Sequence, residues 1–271
     1  MFRLELDLYS YADLHRPGLL ADLGRAFDAD PGMRIERMDV RDPLRNTIAN
    51  AEDYLSGADD LLDTEIILFE RRRDPHLDGE LAASYRLDEL RDAPHRLFAN
   101  TNDGDEAWFR DPGHVDAFAG LFARLAGAFD ASYGFAADYQ MARQQEGEFI
   151  RMRRLKHFAP APPGPESDLH AVRDVYWLNY FGPAYLEMWG DRLSGLGVRQ
   201  VPTSNGGLVV QATETPFVFE ESIASFADYA WKKPFHEALG LETFVNARTA
   251  SWERRVPSRA DHVRAAAARS S

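Results

Sequence analysis

The sequence predicts an α+β protein in which mixed or antiparallel sheets carry packed amphipathic helices, and three observations point there. Phe2, Leu4, Leu6 and Leu8 alternate with Arg3, Glu5, Asp7 and Tyr9, the period-2 pattern of a strand with one buried face. Val115, Phe118, Leu121, Phe122, Leu125 and Phe129 recur at helical spacing, which places an amphipathic helix over residues 114–129. Asn205-Gly206-Gly207 separates two apolar runs, 198–201 and 208–212, and such residues reach positive φ at low cost, so a hairpin is expected there.

The remaining elements follow in chain order. After Pro17-Gly18, the apolar residues Leu19, Leu20, Leu23, Ala26 and Phe27 fall on one helical face, and Pro31-Gly32 closes the segment. Residues 33–40 alternate again, so the chain opens β-α-β. The run Thr64-Glu65-Ile66-Ile67-Leu68-Phe69-Glu70 suits a central strand, paired with 81–87 through a turn around Asp74-Pro75. Residues 99–113, rich in Asn, Asp and Gly, read as a loop. A strand is expected at 132–136 and a helix from Asp138 to about residue 158. Farther on, 172–181 reads as a strand and 183–189 as a helix with proline in its first turn. A helix over 222–239 and a strand at 243–246 complete the series.

Four prolines among Ala159-Pro160-Ala161-Pro162-Pro163-Gly164-Pro165 forbid either regular element and mark the clearest break. The expected organisation is an acidic α/β half (1–158), a Pro-rich linker or loop (159–168), an α+β half (169–247) and a basic, flexible tail (248–271). Each half has a β-α-β plan, and the same pattern also fits one compact domain.

The chain has 271 residues, no cysteine and a formal charge of −13. Disulfides, thiolate metal sites and thiol nucleophiles are thereby excluded. No apolar run approaches the roughly 18 residues needed to span a bilayer, and the alternating start lacks a signal peptide's basic and apolar regions. A cytoplasmic location is expected. Residues 1–110 hold 25 acidic against 14 basic side chains, and residues 111–271 hold 19 against 17. The acidity therefore belongs to the first half, which repels nucleic acid and anionic lipid and steers basic partners inward.

No catalytic or cofactor motif is visible. The eight histidines are scattered without metal-ligand spacing, and GxSxG, GxxxxGK[ST] and GxGxxG are all missing. The crowded oxygens of Asn100-Thr101-Asn102-Asp103-Gly104-Asp105-Glu106 do not match a calcium loop, since the glycine and the closing glutamate are misplaced; an Asx-rich turn is expected. No cofactor, no metal and no catalytic residue are assigned. The competing reading is a hydrolase built on carboxylates and a histidine such as His95 or His114.

Two stretches stand out. Asp59, Asp60, Asp63 and Glu65 flank a strand and form a negative patch, and Asp103, Asp105 and Glu106 form another. The aromatic stretch Val175-Tyr176-Trp177-Leu178-Asn179-Tyr180-Phe181-Gly182-Pro183-Ala184-Tyr185-Leu186, continuing to Trp189, reads mainly as core. This second stretch resembles the characteristic segment of Imm52-type immunity proteins of bacterial polymorphic toxin systems associated with type VI secretion. Tyr9-Ser10-Tyr11 and the turn at Asn205-Gly206-Gly207 fit the same plan. The resemblance implies a non-enzymatic α+β protein that binds and neutralises a cognate toxin, often a nuclease, with Trp177 or Trp189 as the family's tryptophan. The expected partner is a protein toxin with a basic active-site face, and neither nucleic acid nor membrane is expected as a direct partner. Within this reading Asp59, Asp60, Asp63, Glu65, Asp103, Asp105 and Glu106 contact the toxin. Trp177, Asn179, Tyr180, Phe181, Gly182, Pro183, Tyr185 and Trp189 hold the fold.

Overall fold

The computed structural model describes residues 2–63, 65–84, 94–144, 172, 174–223, 228–244 and 256–269. Nine strands form one antiparallel sheet: β1 (Leu4–Ser10), β2 (Arg37–Asp39), β3 (Ile66–Arg71), β4 (Leu77–Ala82), β5 (His95–Thr101), β6 (Tyr133–Asp138), β7 (Leu178–Phe181), β8 (Arg199–Pro202) and β9 (Leu208–Gln211). Their order is β2-β3-β4-β5-β1-β6-β7-β9-β8, so the first strand lies in the middle. The α-helices referred to below are α1 (Leu19–Asp28), α2 (Ala51–Ser56), α3 (Pro112–Ala128), α4 (Pro183–Ser194), α5 (Lys233–Leu239) and α6 (Arg259–Arg269). The α+β class read from the sequence is the class of the structure, and the sheet is antiparallel throughout.

Strand pleating divides the side chains between two faces. Leu4, Leu6 and Leu8 of β1 join Leu97, Ala99, Leu77, Leu81, Ile67, Phe69, Leu178 and Val209 in a core that α1, α2 and α3 close. Burying one such leucine stabilises the fold by about 1.5–3 kcal/mol. Among the described residues, apolar packing seals one half of the width of the opposite face. There Tyr133, Phe135, Phe181 and Val210 meet Tyr185, Trp189 and Leu193 of α4 and Phe235 and Leu239 of α5. Both cores draw on the single sheet, and β6 pairs with β7 although the expected break at 159–168 lies between them; that segment is outside the described residues.

The β-α-β plan is present twice, with strands inserted. β1 and β2 run parallel, but β3, β4 and β5 fill the gap between them, and β9 fills the gap between β7 and β8. In each half a helix carries the chain outward, and a meander returns it.

Several expected boundaries move. The loop expected at 99–113 begins instead as the end of β5 and continues as a 3-10 segment, Asp103–Arg110. Asn102 and Asp105 form a reciprocal capping box there, which accounts for the Asx-rich composition. The central strand expected at 64–70 is β3, second from an edge. Its partner is Leu77–Ala82, earlier than 81–87, because a short turn after Arg71 starts the return immediately; 85–87 lie outside the described residues. The strand expected at 172–181 shrinks to Leu178–Phe181, with Val172 making one parallel bridge to Phe244. The helix expected at 222–239 starts only at Lys233, since Pro234 can stand only in a first turn, and a 3-10 turn precedes it. Residues 224–227, 245–246 and 145–158 of the expected elements are outside the described residues. The tail expected to fray contains α6, which starts from a capping box of Ser258 and Asp261 and packs beside α4. Among the described residues no helix is long and apolar enough to cross a membrane.

Candidate protein-interaction surface

The half of the second sheet face left outside both cores is the most distinctive surface. Cross-strand pairing fixes its members, because directly opposed residues share a face. The ladders align Asp39 with Leu68, Arg37 with Glu70, Glu70 with Asp78, Leu68 with Glu80, Asp78 with Asn100, Glu80 with Phe98, Asn100 with Glu5 and Phe98 with Asp7. Six carboxylates (Glu5, Asp7, Asp39, Glu70, Asp78, Glu80) therefore share one face with two guanidiniums (Arg37, Arg96) and the half-buried apolar groups Ile66, Leu68 and Phe98.

Asp7 anchors the centre. It is 1 % exposed, and Arg96 grips it with Nε at 2.5 Å and Nη2 at 3.0 Å. The guanidinium lies 4.3 Å over the Phe98 ring and 3.9 Å from Glu80. Burial opposes the Arg96 charge, but the adjoining Asp7 carboxylate and their hydrogen bonds outweigh it and hold the guanidinium protonated. Asp7 is thus a fixed internal partner, whereas Glu70, Asp78 and Glu80 reach outward, and among the described residues Glu70 forms its ion pair with exposed Arg72 at 2.9 Å.

The acidic residues singled out in the sequence frame this face without merging. Asp59, Asp60, Asp63 and Glu65 are all exposed; the first two stand on a 3-10 turn before β3, and Asp63 lies 3.2 Å from His15. Asp103 is exposed and Glu106 pairs with Arg110, but both follow β5. β3 and β5 run in the same direction, so the two groups sit at opposite ends of strands six and seven residues long, about 20 Å apart. Asp105 is the exception among them. It is 4 % exposed, and its carboxylate accepts from the Asn102 backbone N–H at 2.9 Å, so it closes a helix instead of facing outward.

The aromatic stretch is internal. Trp177 is fully buried and stacks on Phe118 with ring centroids 5.9 Å apart. The Asn179 side chain accepts from the Tyr176 N–H and donates to its carbonyl, both at 2.8 Å, fixing the turn into β7. Tyr180 donates to Asn205 Oδ1 at 2.9 Å and lies against Gly207, where any Cβ would overlap its ring and hydroxyl. Gly182 is equally constrained, a Cβ there standing 2.6 Å from the Ser132 carbonyl. Pro183 then opens α4, and Phe181, Tyr185 and Trp189 pack edge to face or tilted at 5.0–5.9 Å.

The two histidines of the hydrolase reading are both engaged by neighbouring groups, and the Ser84 hydroxyl lies 3.2 Å from His95 Nδ1. His95 is buried, accepts at Nδ1 from the Ser84 N–H at 2.9 Å and hydrogen-bonds the Ala12 backbone; burial pushes it down to about 4. His114 stacks on Trp108 at 4.3 Å with Nδ1 3.0 Å from the Trp108 carbonyl. Among the described residues, no group of three His, Asp or Glu side chains is placed to hold a metal ion.

Reading by sequence stretches missed the sheet face itself. Its signal was present in the polar positions of Glu5 and Asp7, and in Asp78 and Glu80 of Leu77–Ala82, but their convergence needs the strand order.

No protein-family model matches this chain, and no curated protein matches it. Among solved structures it is similar to the Pseudomonas aeruginosa T6SS protein PA0821, with 16% sequence identity and a TM-score of 0.54 over 98% of this chain and 82% of that one. At that identity the likeness is one of fold, and it extends over nearly the whole chain.

Proposed function

We propose that this chain is an immunity protein, of Imm52 or a similar type, that binds and neutralises a basic protein toxin, and that the half-open acidic sheet face is where it docks. One observation carries the reading. Among the described residues the same sheet face is sealed by aromatic packing on one side and, on the other, carries five carboxylates and the buried Asp7–Arg96 pair around Ile66, Leu68 and Phe98, which belong to neither core. Apolar groups surrounded by charge of one sign suit an interface that is steered electrostatically and held by a desolvated centre. A nuclease presents basic groups to phosphates, and convergent carboxylates compete for them. The likeness in fold to a T6SS protein and the resemblance of the aromatic stretch support a toxin-related role. The role is non-catalytic, and the chain acts by occlusion.

The test is growth rescue and binding with the product of the adjacent gene. Co-expression should relieve that protein's toxicity, and Glu70→Lys, Asp78→Lys and Glu80→Lys together should slow association about 10-fold or more at low salt and reduce the salt slope. Wild-type rates in the triple variant would move the interface off this face. If so, reversal at Asp59, Asp60, Asp63 and Glu65 tests the neighbouring edge. Toxicity unrelieved by the wild-type chain would remove the immunity reading.

A further inference from the structure

We propose that an arginine-lined cavity between α1, the end of α3, the β8–β9 turn and the last turn of α6 binds a phosphoryl-type oxyanion, independently of the inhibitor reading. The cavity has a volume of about 600 Å³, and its charged lining is Arg16, Arg25, Arg124, Arg269, Asp22 and Asp130. In a chain of net charge −13 such a positive enclave is out of character. Arg25 is neutralised by Asp22 and, at 2.5 Å, by Glu52. Arg16 and Arg269 share one carboxylate, Asp130, at 3.2 and 2.7 Å, which leaves one charge uncompensated. Arg124 has no ion pair among the described residues, and its buried Nε and Nη2 lack any hydrogen-bond partner.

The arrangement is held in place before any ligand arrives. Asp130 follows α3 in the left-handed region, φ 48°, where glycine is usual, and the Ala131 N–H closes the helix end on the Ala126 carbonyl at 2.9 Å. A carboxylate at a helix C-terminus faces an unfavourable dipole. Its place there is explained by what it holds: the guanidiniums of Arg16 and Arg269 and, at 3.3 Å, the Asn205 amide. Three guanidiniums from three separate segments thus border one space; they exceed Asp130 by two positive charges, and the Arg25 cluster with Asp22 and Glu52 lowers the excess to one. A tetrahedral oxyanion accepts hydrogen bonds in several directions and fits this set, whereas a planar carboxylate presents two oxygens in one plane.

Isothermal titration of the full chain with inorganic pyrophosphate, and with acetate at the same ionic strength, tests the site. Saturable one-to-one binding of pyrophosphate without binding of acetate is expected. Arg124→Gln should weaken it about 10-fold or more, because one positive charge leaves the lining. Exposed Arg72→Gln should leave it unchanged. Should Arg124→Gln fail to fold, Arg269→Gln, which also removes one positive charge from the lining, is read the same way. Absence of pyrophosphate binding, equal binding of acetate, or wild-type affinity in a folded Arg124→Gln or Arg269→Gln variant would each overturn the proposal.

Discussion

Two buried titratable groups give this protein opposing pH slopes. His95 is held down to about 4 by burial, against its ordinary 6.5, so the unfolded chain takes up the proton first. Its contribution is complete above pH 6.5 and is lost as pH falls towards 4, by about 3 kcal/mol at 1.36 kcal/mol per pH unit. Asp138 is pushed by burial up to about 6, against 3.8, so the folded state takes the proton first. Stability from this group is gained as pH falls from 6 to 3.8, again by about 3 kcal/mol. The two largely cancel in the wild type. Asp138→Asn should raise stability at pH 7 and expose the acid loss caused by His95 in urea melts; a curve parallel to the wild type's would refute this. Trp177 offers a second contrast, since its Nε1 is buried without a hydrogen-bond partner. Trp177→Ala should cost about 3–5 kcal/mol, while Trp177→Phe should cost much less because it removes the orphan donor along with the indole.

At the scale of elements, two short motifs decide where the chain turns. In the β8–β9 hairpin, Gly206 has φ +76 and a Cβ there would meet nothing closer than 3.7 Å, whereas Gly207 lies against the Tyr180 hydroxyl and ring. Gly206→Ala should cost about 1–2 kcal/mol of left-handed strain. Gly207→Ala should cost more, because Tyr180 must leave Asn205, and a smaller loss of Tm than in Gly206→Ala would contradict the packing argument. The α6 helix depends on its capping box: the Ser258 hydroxyl and N–H bond Asp261 at 2.7 and 2.8 Å. Those bonds hold the Asp261 carboxyl below its ordinary range, so their contribution is present above that range and lost as pH falls through the lowered value. Ser258→Ala should cost about 1 kcal/mol locally, read as faster hydrogen exchange in α6 with the central strands unaffected.

At the scale of the molecule, the sheet separates stability from the proposed docking role. The outer carboxylates Glu70, Asp78 and Glu80 carry little of the fold, so their reversal should change stability by no more than about 0.5 kcal/mol each in denaturant melts. Asp7 is different. Asp7→Asn leaves Arg96 partly buried beside a neutral group and should cost a few kcal/mol, about what breaking a buried ion pair costs. A loss in the triple outer variant as large as that of Asp7→Asn would mean that the acidic face is a structural network.

Local pattern was enough for much of this architecture. The alternation in β1, the apolar stripe of α3, Pro183 at the start of α4 and Asn205-Gly206-Gly207 each act within a few residues, so the sequence alone determined those elements and the α+β class. The same local logic failed for β5, whose Asn100 has a loop-forming preference and is a strand residue because β1 and β4 pair on both sides of it. Only the tertiary structure put β1 at the centre, brought Glu5, Asp7, Glu70, Asp78 and Glu80 onto one face, and gathered Arg16, Arg124 and Arg269 around one cavity. Alternation states which residues of a strand share a face, but which strands become neighbours is set by long-range pairing that minimises exposed edges and apolar surface. Charge that is merely abundant along the first 110 residues becomes a surface only through that pairing.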